Sequence, residues 1–286
     1  MYLTQIAFYI SQSIALNSLC CAEKNDLKLW YRQPAFITDE AQSSSGWENS
    51  RSWLRALPIG NGRLGGMVFG GVELERIQLN EESVWSGGPQ DADNPEALKY
   101  LPEIRKLLFE RKYAEAQKLT YEKLVCKGPG SQNGAKGYFG CYQTLGDLKI
   151  SFDGQKDAKD YYRDLDLDTA IASVSYRIGD VTFKREAFVS APDQVMVIRL
   201  TCDKPGKISF NATLSRVECS ATNTTKPNQV TMSGQLFEGK GIKFIARLIA
   251  LNEGGEISIT DDAVCVKNAD AVTILLSSAT DFKGKL

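Results

Sequence analysis

The sequence predicts a mainly β protein, a large antiparallel β-sandwich with a short helical excursion near residues 95–125. Three observations predict it. From residue 146 onward, strand-length apolar runs recur between Gly-Asp, Pro-Asp, Pro-Gly and Gly-Gly turns, the spacing of an all-β sandwich. Around residues 76–80, Ile77 and Leu79 alternate with Arg76, Gln78 and Asn80, the two-residue period of a half-buried strand. Residues 94–125 alone switch to helical spacing.

The elements follow in order. "LKLWYRQPA" reads as a short strand that Pro34 closes, and "ITDEAQSSSGWENSRS" as a polar, serine-rich surface loop that Trp47 pins down. "MVFGG" and "RIQLN" are two strand-like runs. Asn94-Pro95 then supplies a cap with proline at the first helical position, and Ile104, Leu107 and Leu108 fall on one helical face. A second run carries Tyr113, Ala116, Thr120 and Leu124 on one side, so two or three helical pieces packed on a sheet are expected. The loop "CKGPGSQNGAKGYFG" ends them.

Strands resume with "GDLKISF", "SVSYRIGDVTFKREAFVS", "QVMVIRLT", "GKISFNATLS", "KFIARLIAL" and "AVTILLSSA". Gly179-Asp180 makes the clearest hairpin, separating Val174, Tyr176 and Ile178 from Val181 and Phe183. The closing run "AVTILLSSATDFKGKL" has no capping segment after its apolar strand, as though a linker followed, which predicts an exposed apolar patch where a further domain packs. No internal repeat of fixed period is present.

Composition narrows the function classes. The 286 residues suit one large domain or two ordinary ones. Lys plus Arg number 34 against 35 Asp plus Glu, with no segregated block, so neither nucleic acid nor an anionic membrane surface is the expected partner. There is no histidine. That removes imidazole acid–base work, Ser-His-Asp and Cys-His nucleophiles and most zinc sites, leaving carboxylates for any catalysis.

Seven cysteines contain no C-x-x-C pair, so no metal cluster and no cofactor are expected. Cys126 and Cys141 flank the glycine-rich loop, and either a disulfide or buried free thiols would fit. Residues 1–22 read as an export signal ending in small residues, with Cys20 or Cys21 as a lipid-anchored first residue and a buried N-terminal strand as the other readings. Export places the protein in the periplasm or at the cell surface. No later run reaches the roughly 20 apolar residues of a membrane span.

"GNGRLG" at residues 60–65 fits the dinucleotide pattern G-x-G-x-x-G, but its setting does not. Pro58 precedes it and a glycine-interrupted strand follows, where a strand and a helix N-terminus are required. The glycines then serve tight turns and close approach of sheets. Asn61 and Arg63 either satisfy buried backbone carbonyls or face a ligand. Trp85, with Asn80 and Glu81 close by and "SGGP" after it, is the tryptophan best placed to meet a sugar ring, although a sandwich tryptophan is more often core.

The run "ALPIGNGRLGGMVFGGVELERIQLNEESVWSGGP" resembles the family 95 glycoside hydrolases. So do "LWYRQPA", "NPEALKYLPEIRKLLFERKYAEAQKL", "YQTLGDLKISF", "YYRDLDLDTAIASVSYR", "FKREAFVSAPDQVMVIRLT" and "SSATDF". The resemblance covers nearly everything from Leu27 onward. Its departures are local: an insertion-like loop from about Phe36 to Ser52, Arg55 at a position expected to be acidic, and "NEESVW" for the commoner "NEDTLW".

The resemblance implies that residues 23–286 are the N-terminal β-super-sandwich of a longer inverting α-L-fucosidase, some relatives acting on α-L-galactosides. The general acid and water-activating residues would sit in a helical barrel beyond this segment. Fucosylated glycans would bind there, with this domain packed against the barrel. Catalytic residues are therefore expected to be absent here, while Asn61, Arg63, Asn80, Glu81 and Trp85 are candidates for lying close to substrate.

Inverting hydrolysis needs two groups roughly 6.5–9.5 Å apart. Glu81-Glu82, Asp91-Asp93 and Asp164-Asp166-Asp168 are the nearest candidates, each more simply a turn or a solvated face. A related sandwich of the maltose phosphorylase type fits these motifs less well. A stand-alone carbohydrate-binding module is the alternative function, suggested by four tryptophans within the first 85 residues.

Overall fold

The computed structural model describes residues 27–35, 50–88, 93–125 and 140–284. The export signal, Trp47, Asp91 and Cys126 lie outside these residues. Strands are numbered in chain order. One sheet has nine strands in the order β1 (Lys28–Tyr31), β6 (Lys159–Asp166), β7 (Ile171–Ile178), β8 (Val181–Ser190), β9 (Val195–Cys202), β16 (Ala271–Thr280), β13 (Lys243–Glu253), β12 (Gln229–Gln235) and β11 (Ser220–Lys226).

The second sheet has seven, in the order β14 (Glu256–Ile259), β15 (Ala263–Ala269), β10 (Ile208–Ser215), β5 (Gly146–Ser151), β4 (Leu74–Glu81), β3 (Leu64–Val68) and β2 (Leu57–Gly60). Neighbours in both sheets are antiparallel. The expected antiparallel sandwich is therefore the observed architecture.

The alternation in the sequence explains the layering. On β4, Ile77 and Leu79 turn inward and join Leu148, Ile150, Phe210 and Leu214 from the same sheet. Met196, Ile198, Leu200, Leu248, Ile274 and Leu276 meet them from the other sheet in one continuous core. Each such side chain contributes about 1.5–3 kcal/mol of burial, which is what holds the two sheets face to face. Gly66 sits at a close approach of the two sheets: a Cβ there would lie 2.8 Å from Ile77 Cγ2 and 2.8 Å from Met196 Cε.

The hairpin at Gly179-Asp180 forms as expected, β7 pairing with β8 from Ile178–Val181 outward. "GNGRLG" is also a hairpin, between β2 and β3, with Gly60 opposite Gly65 and Gly62 at φ +94°. The two helices of the excursion are α2 (Ala97–Phe109) and α3 (Tyr113–Lys123), after a short α1 (Ser50–Arg55).

Two expectations need correction. Helix α2 starts at Ala97 rather than beside Pro95, although Asn94 does bond to the turn before it: its Oδ1 accepts from the Glu96 N–H at 3.2 Å while its side-chain amide donates to the carbonyls of Lys123 and Val125 at the far end of α3. The pair packs chiefly on itself rather than on a sheet, with Ile104 and Ala116 as its buried residues. β16 lies inside the nine-stranded sheet between β9 and β13 with Val272, Ile274 and Leu276 buried, while Phe282 just after it is exposed.

The outer face of the seven-stranded sheet positions the site. Ala35, Ala56 and Phe69 form a small second core there, with Met67 packed on it. Arg163 is fully buried, and its guanidinium lies 4.3 Å from the centre of the Tyr31 ring. It donates to the carbonyls of Gln33 (2.8 Å) and Arg55 (2.7 Å). The last residue of α1 is thereby tied to the strand that carries Arg163, and Trp53 is held over β4.

Candidate groove on the outer face of the smaller sheet

The outward residues of β4 that the alternation singled out, Arg76, Gln78 and Asn80, form the floor of a groove of about 570 Å³. Trp53 and Leu54 of α1 make one wall. Tyr142, Gln143 and Thr144 lead into β5, where Gly146 and Asp147 continue the floor, and Arg216, Val217 and Glu218 after β10 complete the lining. The volume falls in the range of small-molecule sites.

Hydrogen bonds fix the aromatic walls. The Trp53 indole N–H donates to Gln78 Oε1 at 2.9 Å, and Gln78 is only 7% exposed. The Tyr142 hydroxyl donates to Asn80 Oδ1 at 3.1 Å. Burial, and secondarily the negative field of Glu81, push the Tyr142 phenol above its usual range, so the proton stays on the donor. Trp85 supports Tyr142 from behind, edge to face with ring centres 5.8 Å apart, while its own indole N–H donates to the Glu82 carbonyl.

Charges in the groove are matched. Arg76 Nε donates to Asp147 Oδ1 at 2.9 Å. The Arg216 guanidinium donates to the Thr144 carbonyl and lies over the Phe244 ring. Burial lowers its pKa, and the nearby Glu218 opposes that shift. The carboxylates of the groove are Asp147, held in that ion pair, and Glu218. Among the described residues, no group of three His, Cys, Asp or Glu could hold a metal ion.

The five residues proposed from sequence separate into two places. Asn80 lines the groove and Trp85 backs it. Asn61, Arg63 and Glu81 form a joint between the sheets. Asn61 donates to the Ser190 carbonyl at 3.0 Å and accepts from the backbone N–H groups of Arg63 and Leu64. Arg63 donates to the Ser278 carbonyl at 3.0 Å and to Gln194 Oε1 at 2.6 Å.

Buried Glu81 lies 3.4 Å from Arg63 Nη1 and accepts from Ser83 N and Oγ. Asn61 and Arg63 thus each donate to a backbone carbonyl of the opposite sheet. Of the other carboxylate candidates, Asp164 and Asp166 each lie 3.6 Å from Lys28 Nζ. The described tryptophans are not core residues: Trp30, Trp53 and Trp85 are all substantially exposed.

Trp53, Tyr142, Asp147 and Arg216 were missed by sequence reasoning. The signal that could have found the floor was the polar phase of the β4 alternation, which faces away from the core by necessity.

Residues 29–285 match the family described as "Glycosyl hydrolase family 65, N-terminal domain". "Alpha-L-fucosidase 2" of Arabidopsis thaliana is 35% identical over 261 residues, which is 82% of this chain and 30% of that protein. "Probable alpha-fucosidase A" of Aspergillus niger is 31% identical over 207 residues, 70% of this chain and 24% of its own length. Its namesake in Aspergillus oryzae is 28% identical over 269 residues, 85% and 34% respectively. The chain thus spans about a third or less of the curated relatives it matches.

Proposed function

Because this chain belongs to the glycosyl hydrolase family 65 N-terminal domain family, we infer that it is the non-catalytic sandwich of an exported α-L-fucosidase-type hydrolase. It braces a catalytic region carried elsewhere in the full-length polypeptide. That polypeptide releases terminal L-fucose, or L-galactose, from glycans with inversion at the anomeric carbon.

The supporting observation is the coincidence of two facts. Relatives named as fucosidases align along most of this chain, yet the alignments cover only 24–34% of those proteins. The groove of this domain is lined by two carboxylates, of which Asp147 is held in an ion pair with Arg76, whereas inversion needs one carboxyl free to protonate the leaving group and an opposed group to activate water.

The test uses 2'-fucosyllactose with the full-length protein and with this chain alone. The full-length enzyme should release fucose that appears first as the β-anomer in proton NMR, and the chain alone should release none. Turnover by the chain alone would overturn the bracing role. Initial α-anomer would overturn inversion, and phosphate-dependent cleavage by the full-length enzyme would move the assignment to a phosphorylase.

A further inference from the structure

We propose that the groove on the outer face of the seven-stranded sheet is a binding site for a neutral oligosaccharide, with Trp53 and Tyr142 as its ring-stacking walls. The inference stands on the groove alone and goes beyond the hydrolase reading, which it neither needs nor supplies.

Size and shape come first. A cavity of about 570 Å³ is in the range that takes a drug-sized molecule, comparable with a short oligosaccharide. Its two aromatic walls each have their polar atom engaged, the indole N–H of Trp53 by Gln78 and the hydroxyl of Tyr142 by Asn80. The rings are therefore held in place before a ligand arrives, and little rotamer entropy is lost on binding. The apolar face of a pyranose is the natural complement of such a ring.

Charge selects the ligand class. Two cations, Arg76 and Arg216, and two anions, Asp147 and Glu218, line the groove. Arg76 is ion-paired with Asp147, so the lining carries no formal excess of either sign. A phosphate or uronate would find no unopposed guanidinium, and a cationic ligand no unopposed carboxylate. A polyhydroxylated neutral molecule suits this lining, because each hydroxyl both donates and accepts.

The groove also presents unused donors. Gln78 and Asn80 each spend a carbonyl oxygen on an aromatic wall, which leaves their side-chain NH2 groups for ligand hydroxyls. Arg76 spends Nε on Asp147 and retains its terminal nitrogens. Polar groups that converge beside aromatic faces are the usual composition of a sugar site. A merely structural sheet face does not require them.

The test is ligand-observed saturation-transfer NMR together with tryptophan fluorescence. This chain is titrated with 2'-fucosyllactose, lactose and cellobiose, and with digalacturonate as the anionic comparison. At least one neutral sugar should saturate in the millimolar range or below, in preference to digalacturonate. Trp53→Ala should weaken it about tenfold.

Val217 is 81% exposed at the rim, so Val217→Trp should obstruct the groove equally well without disturbing the fold. Trp30→Ala, at an exposed tryptophan stacked on Tyr162, should leave binding unchanged. Absence of saturation by every neutral sugar would overturn the proposal. So would binding that survives both Trp53→Ala and Val217→Trp, or a preference for digalacturonate. Fucose release by the full-length enzyme is a separate readout, so failure here leaves the hydrolase assignment standing.

Discussion

Arg63 Nη1 donates to the carbonyl oxygen of Ser278 at 3.0 Å, so one side chain from the β2–β3 turn is bonded to the end of β16 in the opposite sheet. The same nitrogen lies 3.4 Å from the buried carboxylate of Glu81. Arg63→Met removes the donor and leaves Glu81 without its cation. Stability to urea should fall by about 2 kcal/mol, the usual cost of stranding a partly buried charge and an unsatisfied carbonyl. Glu81→Gln keeps an acceptor for Ser83 and should cost about half as much. An unchanged midpoint for Arg63→Met would show that the joint contributes nothing.

The glycines of "GNGRLG" and its continuation act by two different mechanisms. At Gly62 a Cβ would meet nothing within 4 Å, but φ is +94°. Gly62→Val should therefore cost about 1–2 kcal/mol through backbone strain alone. At Gly66 the backbone is ordinary and the space is absent, with Met196 Cε and Ile77 Cγ2 both 2.8 Å from an added Cβ. Gly66→Val should cost about 1–3 kcal/mol by overpacking. Met196→Ala opens the facing side, so combining it with Gly66→Val should recover part of that loss in thermal denaturation. No recovery would contradict the close-approach mechanism.

Sheet and hairpin positions were legible where side chains alternate, as along Arg76–Asn80 and across Gly179-Asp180. The strands least visible in sequence are those whose character comes from their neighbours. β11, "SATNTTK", is polar throughout and is an edge strand paired with β12 alone. β6 hides an arginine, Arg163, at its buried centre. Hydrophobic periodicity has no means of marking either one. The groove was half legible: the floor residues announce themselves by phase, whereas Trp53 and Arg216 reach it from positions 94 and 69 residues away from Asp147 in sequence, through tertiary packing alone.

Arg163 is the sharpest such case, because a buried guanidinium serves two backbone carbonyls and the Tyr31 ring rather than a carboxylate. Arg163→Met keeps much of the volume but leaves the carbonyls of Gln33 and Arg55 without their donor. A loss of about 2–4 kcal/mol is expected. Trp53 should also become more accessible to acrylamide quenching, since α1 loses its tether. Quenching equal to that of the parent would separate α1 from Arg163.

Acid should weaken the turn after β6. Asp166 Oδ1 accepts from the backbone N–H groups of Thr169 and Asp168, each at 3.0 Å. The Thr169 N–H is the foremost cause holding its carboxyl below the ordinary aspartate value. The folded value is depressed, so the contribution is present above the unfolded value, about 3.9. It is lost as pH falls through the folded one. Asp166→Asn retains an acceptor but not the charge. Its melting temperature should therefore decline less steeply than the parent's below about pH 4, and parallel curves would contradict the turn's role.

The helical pair should govern self-association. On α2, Leu98 is 78% exposed and Phe109 is 87% exposed. Their separation is close to three turns of an α-helix, so they project from nearly the same side. Tyr113 and Tyr121 of α3 add further exposed apolar area, and the two helices rest chiefly on each other. Exposed apolar side chains of this size favour association in water. The chain should show a concentration-dependent mass by light scattering, and Leu98→Lys with Phe109→Lys should return it towards a single chain. Neither position is buried, so the melting temperature should hold within a degree or two. A parent that stays monomeric at all concentrations would show that these residues do not drive association.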